Sequence, residues 1–268
     1  MELADAAGHG FAPDRLARID DFIERSYISS GRLPNAQVLV AREGQPVHFA
    51  QFGTLRADGT PIREDALFRI ASMTKPVTSI AFMQLVERCE VAVDDPVSRV
   101  IPEFAKLGAY NGGGGGLPFA PTKPAKPMRF VDLLTHMSGL TYGFQNRTSI
   151  DAAYREARLD LSRGHITSDE YIEALARIPL EFEPGALWNY SVSTDVLGVA
   201  VERVSGMSLG DYFRQHIFEP LGMTDTGFDV AESEVDRLAD AYGYRPGKPP
   251  RLVDEATDSK LVEPAKFH

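Results

Sequence analysis

Apolar positions recur along the first third of the chain in three rhythms, and each rhythm predicts an element. Leu16, Ile19, Ile23 and Tyr27 fall on one stripe behind Pro13 and Asp14, the spacing of an amphipathic surface helix that stops at Ser29-Ser30-Gly31. Ala36 to Ala41 and Pro46 to Phe52 are short runs rich in Val and Phe, joined across Glu43-Gly44, which is the pattern of an antiparallel hairpin. Leu67 to Ile70 reads as a further extended piece. From Thr74 to Glu90 the helical period returns with Val77, Ile80, Ala81, Phe82, Met83, Leu85 and Val86 on nearly every side, so this helix is expected to be buried.

The rhythm then breaks. Residues 103–128 hold Asn111, the five glycines Gly112 to Gly116, and Pro118, Pro121, Pro124 and Pro127, a composition that predicts a long loop without regular structure. Loops of this length often serve as lids or binding loops, and a tolerated surface insertion fits equally. Helical patterns dominate from Phe130 to Phe228. Thr167 and Glu170 have capping-box spacing, Val196, Leu197, Ala200, Val201 and Val204 make one apolar face, and Ser208 can cap a helix running through His216. The last 40 residues are polar, with Pro246, Pro249, Pro250 and Pro264 and little strand or helix signal. The expected organisation is therefore three stretches: 1–100 as the N-terminal part of an α/β domain, 101–228 as a mostly helical domain carrying the loop, and 229–268 as an irregular return segment. Two strands alone are marginal in water, so more sheet is expected than the hairpin supplies.

Composition narrows the partners. The chain has 268 residues, 43% of them hydrophobic, and its 28 basic against 38 acidic residues leave a net charge of −10. Nucleic acids and anionic membranes need a basic face, so an uncharged small molecule is the expected ligand. A single cysteine, Cys89, excludes an internal disulfide and is expected to sit in the core as a small hydrophobe. No Cys/His spacing of the zinc type occurs, and neither a metal nor an organic cofactor is expected. The N-terminus lacks the apolar core of a secretory signal and no stretch approaches the roughly 20 apolar residues of a bilayer span, which predicts a cytoplasmic protein.

Two constellations carry candidate chemistry. In Ser72-Met73-Thr74-Lys75 the hydroxyl and amine are three apart at a helix start, where such positions share a face. A serine is a poor nucleophile until a base takes its proton, and a lysine serves only when burial or a neighbouring cation lowers its proton affinity. The same tetrad also fits a helix cap followed by an exposed lysine. Behind the Pro184-Gly185 turn, Trp188 and Tyr190-Ser191-Val192 precede a helix starting near Ser193, so Tyr190 is presented from a loop. A phenol near a lysine can relay a proton to a leaving group, and packing aromatics with satisfied polar tips would read the same way. Asn189 and Asp195 flank this motif and could orient it, with local turn or capping bonds as the expected role. His48 and His165 read as surface residues. Gly206-Met207-Ser208-Leu209-Gly210 matches the nucleophile elbow of α/β-hydrolases, but a helix precedes it where that motif needs a strand, so Ser208 reads as a cap.

Phe68 to Lys75, Leu133-Leu134-Thr135-His136-Met137-Ser138-Gly139-Leu140, and Pro184-Gly185 through Tyr190-Ser191, in that order and spacing, resemble the serine β-lactamase and penicillin-binding protein superfamily. The likeness is greatest to class C-like (family VIII) carboxylesterases and runs from the first helix to about Phe228. It implies an α+β fold of β-lactamase/DD-peptidase type, an antiparallel sheet flanked by helices beside an all-helical domain. It implies that Ser72 is the acyl-accepting nucleophile, that Lys75 and Tyr190 are its base and proton relay, and that the His136 segment is structural. Relatives carry a third motif, Lys-Thr-Gly or His/Trp-x-Gly, on a late strand. Here only Lys106-Leu107-Gly108 matches, loosely and too early, so the C-terminal strands are expected to be missing from these 268 residues or supplied by a C-terminal fragment. Where class C β-lactamases have an asparagine two residues after the tyrosine, this chain has Val192, which removes an amide that would bind a β-lactam or peptide carbonyl. The expectation is a serine carboxylesterase acting on short-chain or unhindered esters, with Trp188 and Val192 as substrate-binding residues. A β-lactamase, a D-amino-acid peptidase or an acyltransferase on the same fold, and a catalytically silent penicillin-binding-like module, are the alternatives.

Overall fold

The computed structural model describes residues 2–110, 122–160 and 166–262. In chain order its elements are α1 (Pro13–Ile23), β1 (Asn35–Arg42), β2 (Gln45–Gly53), α2 (Thr74–Glu87), β3 (Gly108–Tyr110), β4 (Thr122–Pro124), α3 (Phe130–Leu134), α4 (Ser149–Glu156), α5 (Ser168–Ala176), α6 (Ser193–Ser205), α7 (Leu209–Phe213), β5 (Ala241–Gly243) and β6 (Arg251–Asp254). Each strand pair is antiparallel, β1 with β2, β3 with β4 and β5 with β6. The described residues divide into two compact units, one built from 2–69 and 229–262, the other from 70–228. This division groups α2 with the helices, where the expected boundaries grouped it with the hairpin.

In the first unit the β1–β2 hairpin turns through Glu43 and Gly44, both with positive φ (54° and 75°), the backbone whose twist matches that of paired strands. The register runs from Asn35 opposite Gly53 to Arg42 opposite Gln45, with an irregularity between Val40 and Ala41. Gly53 ends it at φ 78°, where a Cβ would lie 2.0 Å from the Pro34 carbonyl, so only glycine fits. Leu67 to Ile70 does not form a strand. Leu67 makes one parallel bridge to Leu238, because its neighbour is an irregular segment reached from far along the chain. The return segment is more regular than its polar composition predicts: β5 pairs with β6, and the Arg69 guanidinium binds the Ala239 carbonyl and, at 2.5 Å, Asp254. His48 is no free surface residue either, since its Nε2 lies 2.8 Å from Asp20 Oδ1 and ties β2 to α1.

The second unit is held by α2 against α6 and the surrounding helices. Thr78, Ala81, Phe82 and Leu85 of α2 are buried, and Phe82 meets Phe130 of α3 with ring centroids 4.8 Å apart. Gly198 of α6 lets the elements close up, since a Cβ there would come within 2.9 Å of Leu209. Burying a side chain such as Phe82 or Leu85 contributes about 1.5–3 kcal/mol, so this stripe anchors the helix. Within the described residues α2 is not buried all round: Ile80 and Met83 are exposed. It ends at Arg88, after which Cys89 takes a left-handed backbone (φ 58°) and is exposed, in contrast to the expected core position. Of the stretch 103–128, Pro102–Lys106 forms a short 3₁₀ turn and β3–β4 a small ladder, while the glycine run and Pro118 to Pro121 lie outside the described residues, as does His165. Thr167 and Glu170 make the expected capping box, and the Ser208 hydroxyl caps α7 by accepting from the Asp211 N–H at 3.1 Å. Ser208 follows the helix α6 and its Gly206 terminus, which excludes a strand-borne elbow.

Candidate active site

Ser72 lies in a single 3₁₀ turn, Ala71–Met73, that leads into α2. Ala71 before it has φ 44°, a left-handed backbone that costs a side-chain-bearing residue about 1–2 kcal/mol and is often kept where a site needs it. The described hydrogen bonds join Ser72 and Lys75 to two different tyrosines and not to each other. The Ser72 hydroxyl accepts from Tyr190 Oη at 2.6 Å, while Lys75 Nζ donates to Tyr142 Oη at 3.1 Å. The three expected residues are nonetheless gathered, with Nζ 5.0 Å from the Tyr190 ring centroid and 5.6 Å from that of Tyr142. A cation over two phenol faces is favoured by their quadrupoles.

The two tyrosines come from two irregular segments laced together. Residues 136–147 turn through His136 (φ 57°) and Gly139 (φ 83°), and a Cβ on Gly139 would stand 2.3 Å from the Phe182 carbonyl. Gly185 N–H reaches the Met137 carbonyl and Asn189 N–H the His136 carbonyl, at 2.8 and 2.9 Å. The Gln145 amide donates to the Tyr190 carbonyl. The buried Asn189 does more than close a local turn: its amide donates to the Leu140 carbonyl (3.0 Å) and Glu181 (2.9 Å), and its oxygen accepts from Arg147 (2.6 Å). Buried Asp151 accepts from Thr141 Oγ1 and the Arg147 N–H, both at 2.7 Å. Ser138, Ser191 and Ser193 form a buried hydroxyl chain with 2.7 Å steps. The network is fully bonded at these groups, the condition under which buried polar atoms rigidify a site.

His136 belongs to this scaffold. Its ring lies 4.9 Å from that of Tyr190 and 6.4 Å from that of Trp188, and Nδ1 is 3.3 Å from Ser191 Oγ. Burial, then the positive charge of Lys75, hold its pKa below the ordinary histidine value, so the ring is neutral at pH 7. Sequence reasoning missed one functional residue, Tyr142. Tyr142, two residues past the quoted Leu140, stacks on Phe144 and donates from Oη to Asp195 Oδ2 at 3.3 Å. Burial, with Asp195 second, pushes the Tyr142 phenol far above its usual range, and burial pushes Asp195 up against the opposing pull of Lys75. Asp195 therefore reaches across to another segment, where a capping role was expected. A polar aromatic just after a glycine turn was the one available signal for Tyr142.

The expected substrate-binding residues divide. Trp188 is exposed beside His136, whereas Val192 is 1% exposed and belongs to the helical core. Lys106-Leu107-Gly108 runs from a 3₁₀ turn into β3, with no link to Ser72 among the described hydrogen bonds. No group of three or more His, Cys, Asp or Glu side chains suited to a metal occurs among the described residues. Nor is any helix there long and apolar enough to cross a membrane.

A hydroxyl bonded to a phenol, with an ammonium or amine against that phenol, can pass one proton on and off an oxygen nucleophile. Residues 17–261 match the family model described as Beta-lactamase. Esterase EstB of Burkholderia gladioli is 37% identical over 244 residues, which are 89% of this chain and 57% of EstB. Among solved structures, EstCE1, described as a hydrolase with promiscuous acyltransferase activity, superposes with a TM-score of 0.77 at 28% identity over 90% of this chain and 59% of EstCE1. Simvastatin synthase (LovD) of Aspergillus terreus superposes with a TM-score of 0.72 at 26% identity over 89% and 60%. The chain thus spans under two thirds of the length of each of these proteins.

Proposed function

Because this chain belongs to the beta-lactamase family, we propose that it is a serine carboxylesterase working through an acyl-enzyme on Ser72. The observation that carries the reading is the 2.6 Å bond from Tyr190 Oη to Ser72 Oγ, with Lys75 Nζ against the Tyr190 ring. Ser72 Oγ attacks the ester carbonyl carbon as its proton leaves toward Tyr190 and Lys75. That pair returns the proton to the alcohol oxygen when the C–O bond breaks, leaving an ester on Ser72. Water then attacks the same carbonyl, gives a proton to the pair, and departs as part of the carboxylic acid while Ser72 regains its hydrogen. The Ser72 N–H is the candidate donor to the developing oxyanion. Simple esters are the proposed substrates, short-chain or unhindered ones as the resemblance to family VIII carboxylesterases implies. The resemblance to EstB supports this choice.

Acyl transfer to an alcohol is the second reading, favoured by the descriptions of EstCE1 and LovD. The two differ only in whether water or an alcohol attacks the Ser72 ester. Hydrolysis of p-nitrophenyl butyrate by wild type and Ser72→Ala is the test, with a loss of more than about 10³-fold expected in the variant. Equal rates would end the reading. A fluorophosphonate should add one mass increment, mapping to Ser72, and adding butanol to the assay separates the two acceptors by their products.

A further inference from the structure

Behind the nucleophile runs a polar chain that these proton transfers leave unused. Lys75 Nζ donates to Tyr142 Oη at 3.1 Å, and Tyr142 Oη donates to Asp195 Oδ2 at 3.3 Å. A phenol has one proton. Given to Asp195, it leaves only lone pairs toward Lys75, so this contact takes up an N–H of the lysine and turns the rest of the nitrogen toward Tyr190. Burial keeps the Tyr142 phenol protonated, which makes it a fixed link rather than a competing base.

The charges around the link are few. Lys75 is faced by Tyr142, Tyr190 and His136 and, beyond one hydroxyl, by Asp195. Asp195, in the first turn of α6, is faced by Lys75, Tyr142, Asp160 and Tyr171. Asp160 is already engaged by the Gly143 and Phe144 N–H groups at 2.8 and 2.6 Å. The tyrosines and the depressed His136 are neutral near pH 7. Lys75 and Asp195 stand on the two sides of one hydroxyl. Among the described residues Asp195 makes no ion pair, and its own backbone N–H is its other hydrogen-bond partner.

We propose that Asp195 is a positioning residue of this site, acting through the Tyr142 hydroxyl to hold Lys75 Nζ beside Tyr190 and to supply the countercharge of its ammonium form. This rests on Lys75 being the base and deepens that reading. The same contact that orients the amine also resists its deprotonation, because an opposite charge close by favours the charged form.

Asp195→Asn keeps the shape and an oxygen to accept the Tyr142 bond while removing the charge. The acid limb of the kcat/KM profile on p-nitrophenyl butyrate should then move to lower pH by about one unit or more. Tyr142→Phe should move it the same way, and the double variant no further than the larger single effect. A purely structural role for Asp195 would lower the rate and leave the limb in place, overturning the proposal. Reductive ¹³C-methylation gives a readout that needs no turnover: the dimethyl-lysine NMR signal absent from Lys75→Arg reports Lys75, and its titration midpoint should fall in Asp195→Asn. An unmoved midpoint refutes the positioning role even if esters are cleaved. A moving midpoint in a protein that cleaves no ester instead refutes the esterase reading alone. Should Asp195→Asn fail to fold by circular dichroism, Tyr142→Phe carries the same NMR test with the same deciding outcomes.

Discussion

At Ser72 the hydroxyl is bonded to a phenol, and the lysine three residues on is bonded to a different phenol. Spacing alone put the serine and lysine within hydrogen-bond reach of each other, and the described bonds run from each to a tyrosine instead. The pair is joined through Tyr190, so removing that hydroxyl should matter nearly as much as removing the base. Tyr190→Phe is expected to cut ester hydrolysis by about 10²–10⁴-fold while leaving the fold intact by circular dichroism. His136 supports a second prediction. Its folded pKa lies below its unfolded value, so between the two the unfolded chain binds more protons and stability falls as pH falls. The stability held above the unfolded value of about 6.5 is lost as pH drops through the folded one. Thermal melts of wild type should show Tm falling from pH 7 toward pH 5, with a flatter dependence in His136→Asn. Equal slopes would place the dependence elsewhere.

At the scale of elements, the long-period patterns were legible and the chemistry-bearing turns were not. The α1 stripe, the β1–β2 hairpin, the capping box of α5 and the cap of α7 follow local rules, in which partners sit within a few residues. β5–β6 and the Leu67–Leu238 bridge escaped notice because their partners are brought together by the rest of the unit. Cys89 and Asn189 depart from expectation for related reasons: one follows a helix end in a left-handed turn, the other bonds Leu140, Arg147 and Glu181 at once. Gly139 shows how such a turn is held. With φ 83° and the Phe182 carbonyl 2.3 Å from any added Cβ, Gly139→Ala should destabilise the protein by more than about 1 kcal/mol, read as a lower urea midpoint at unchanged slope. The same change displaces the segment carrying Tyr142, so hydrolysis should fall further than the stability loss explains. Full activity in a folded Gly139→Ala protein would show that this turn does not position the site.

Across the whole molecule, charge and motif order were readable without any coordinates. A net charge of −10 opposes approach to a polyanion, and the expected outcome is no change in anisotropy when a labelled DNA duplex is titrated at low salt. Three ordered motifs identified the superfamily, and the family match over residues 17–261 agrees. The sequence by itself determined the family, the acidic character, the local elements and the identity of Ser72, Lys75 and Tyr190 as candidates, because periodicity, capping and motif spacing act over short stretches of chain. Only the tertiary structure decided which hydroxyl each of these groups meets, that Val192 turns into the core, and that Tyr142 and Asp195 stand behind Lys75. Those contacts join residues 53 to 118 positions apart, and no local rule of the chain specifies them. They exist because burial of the helical core brings the 136–147 and 184–195 segments against the start of α2.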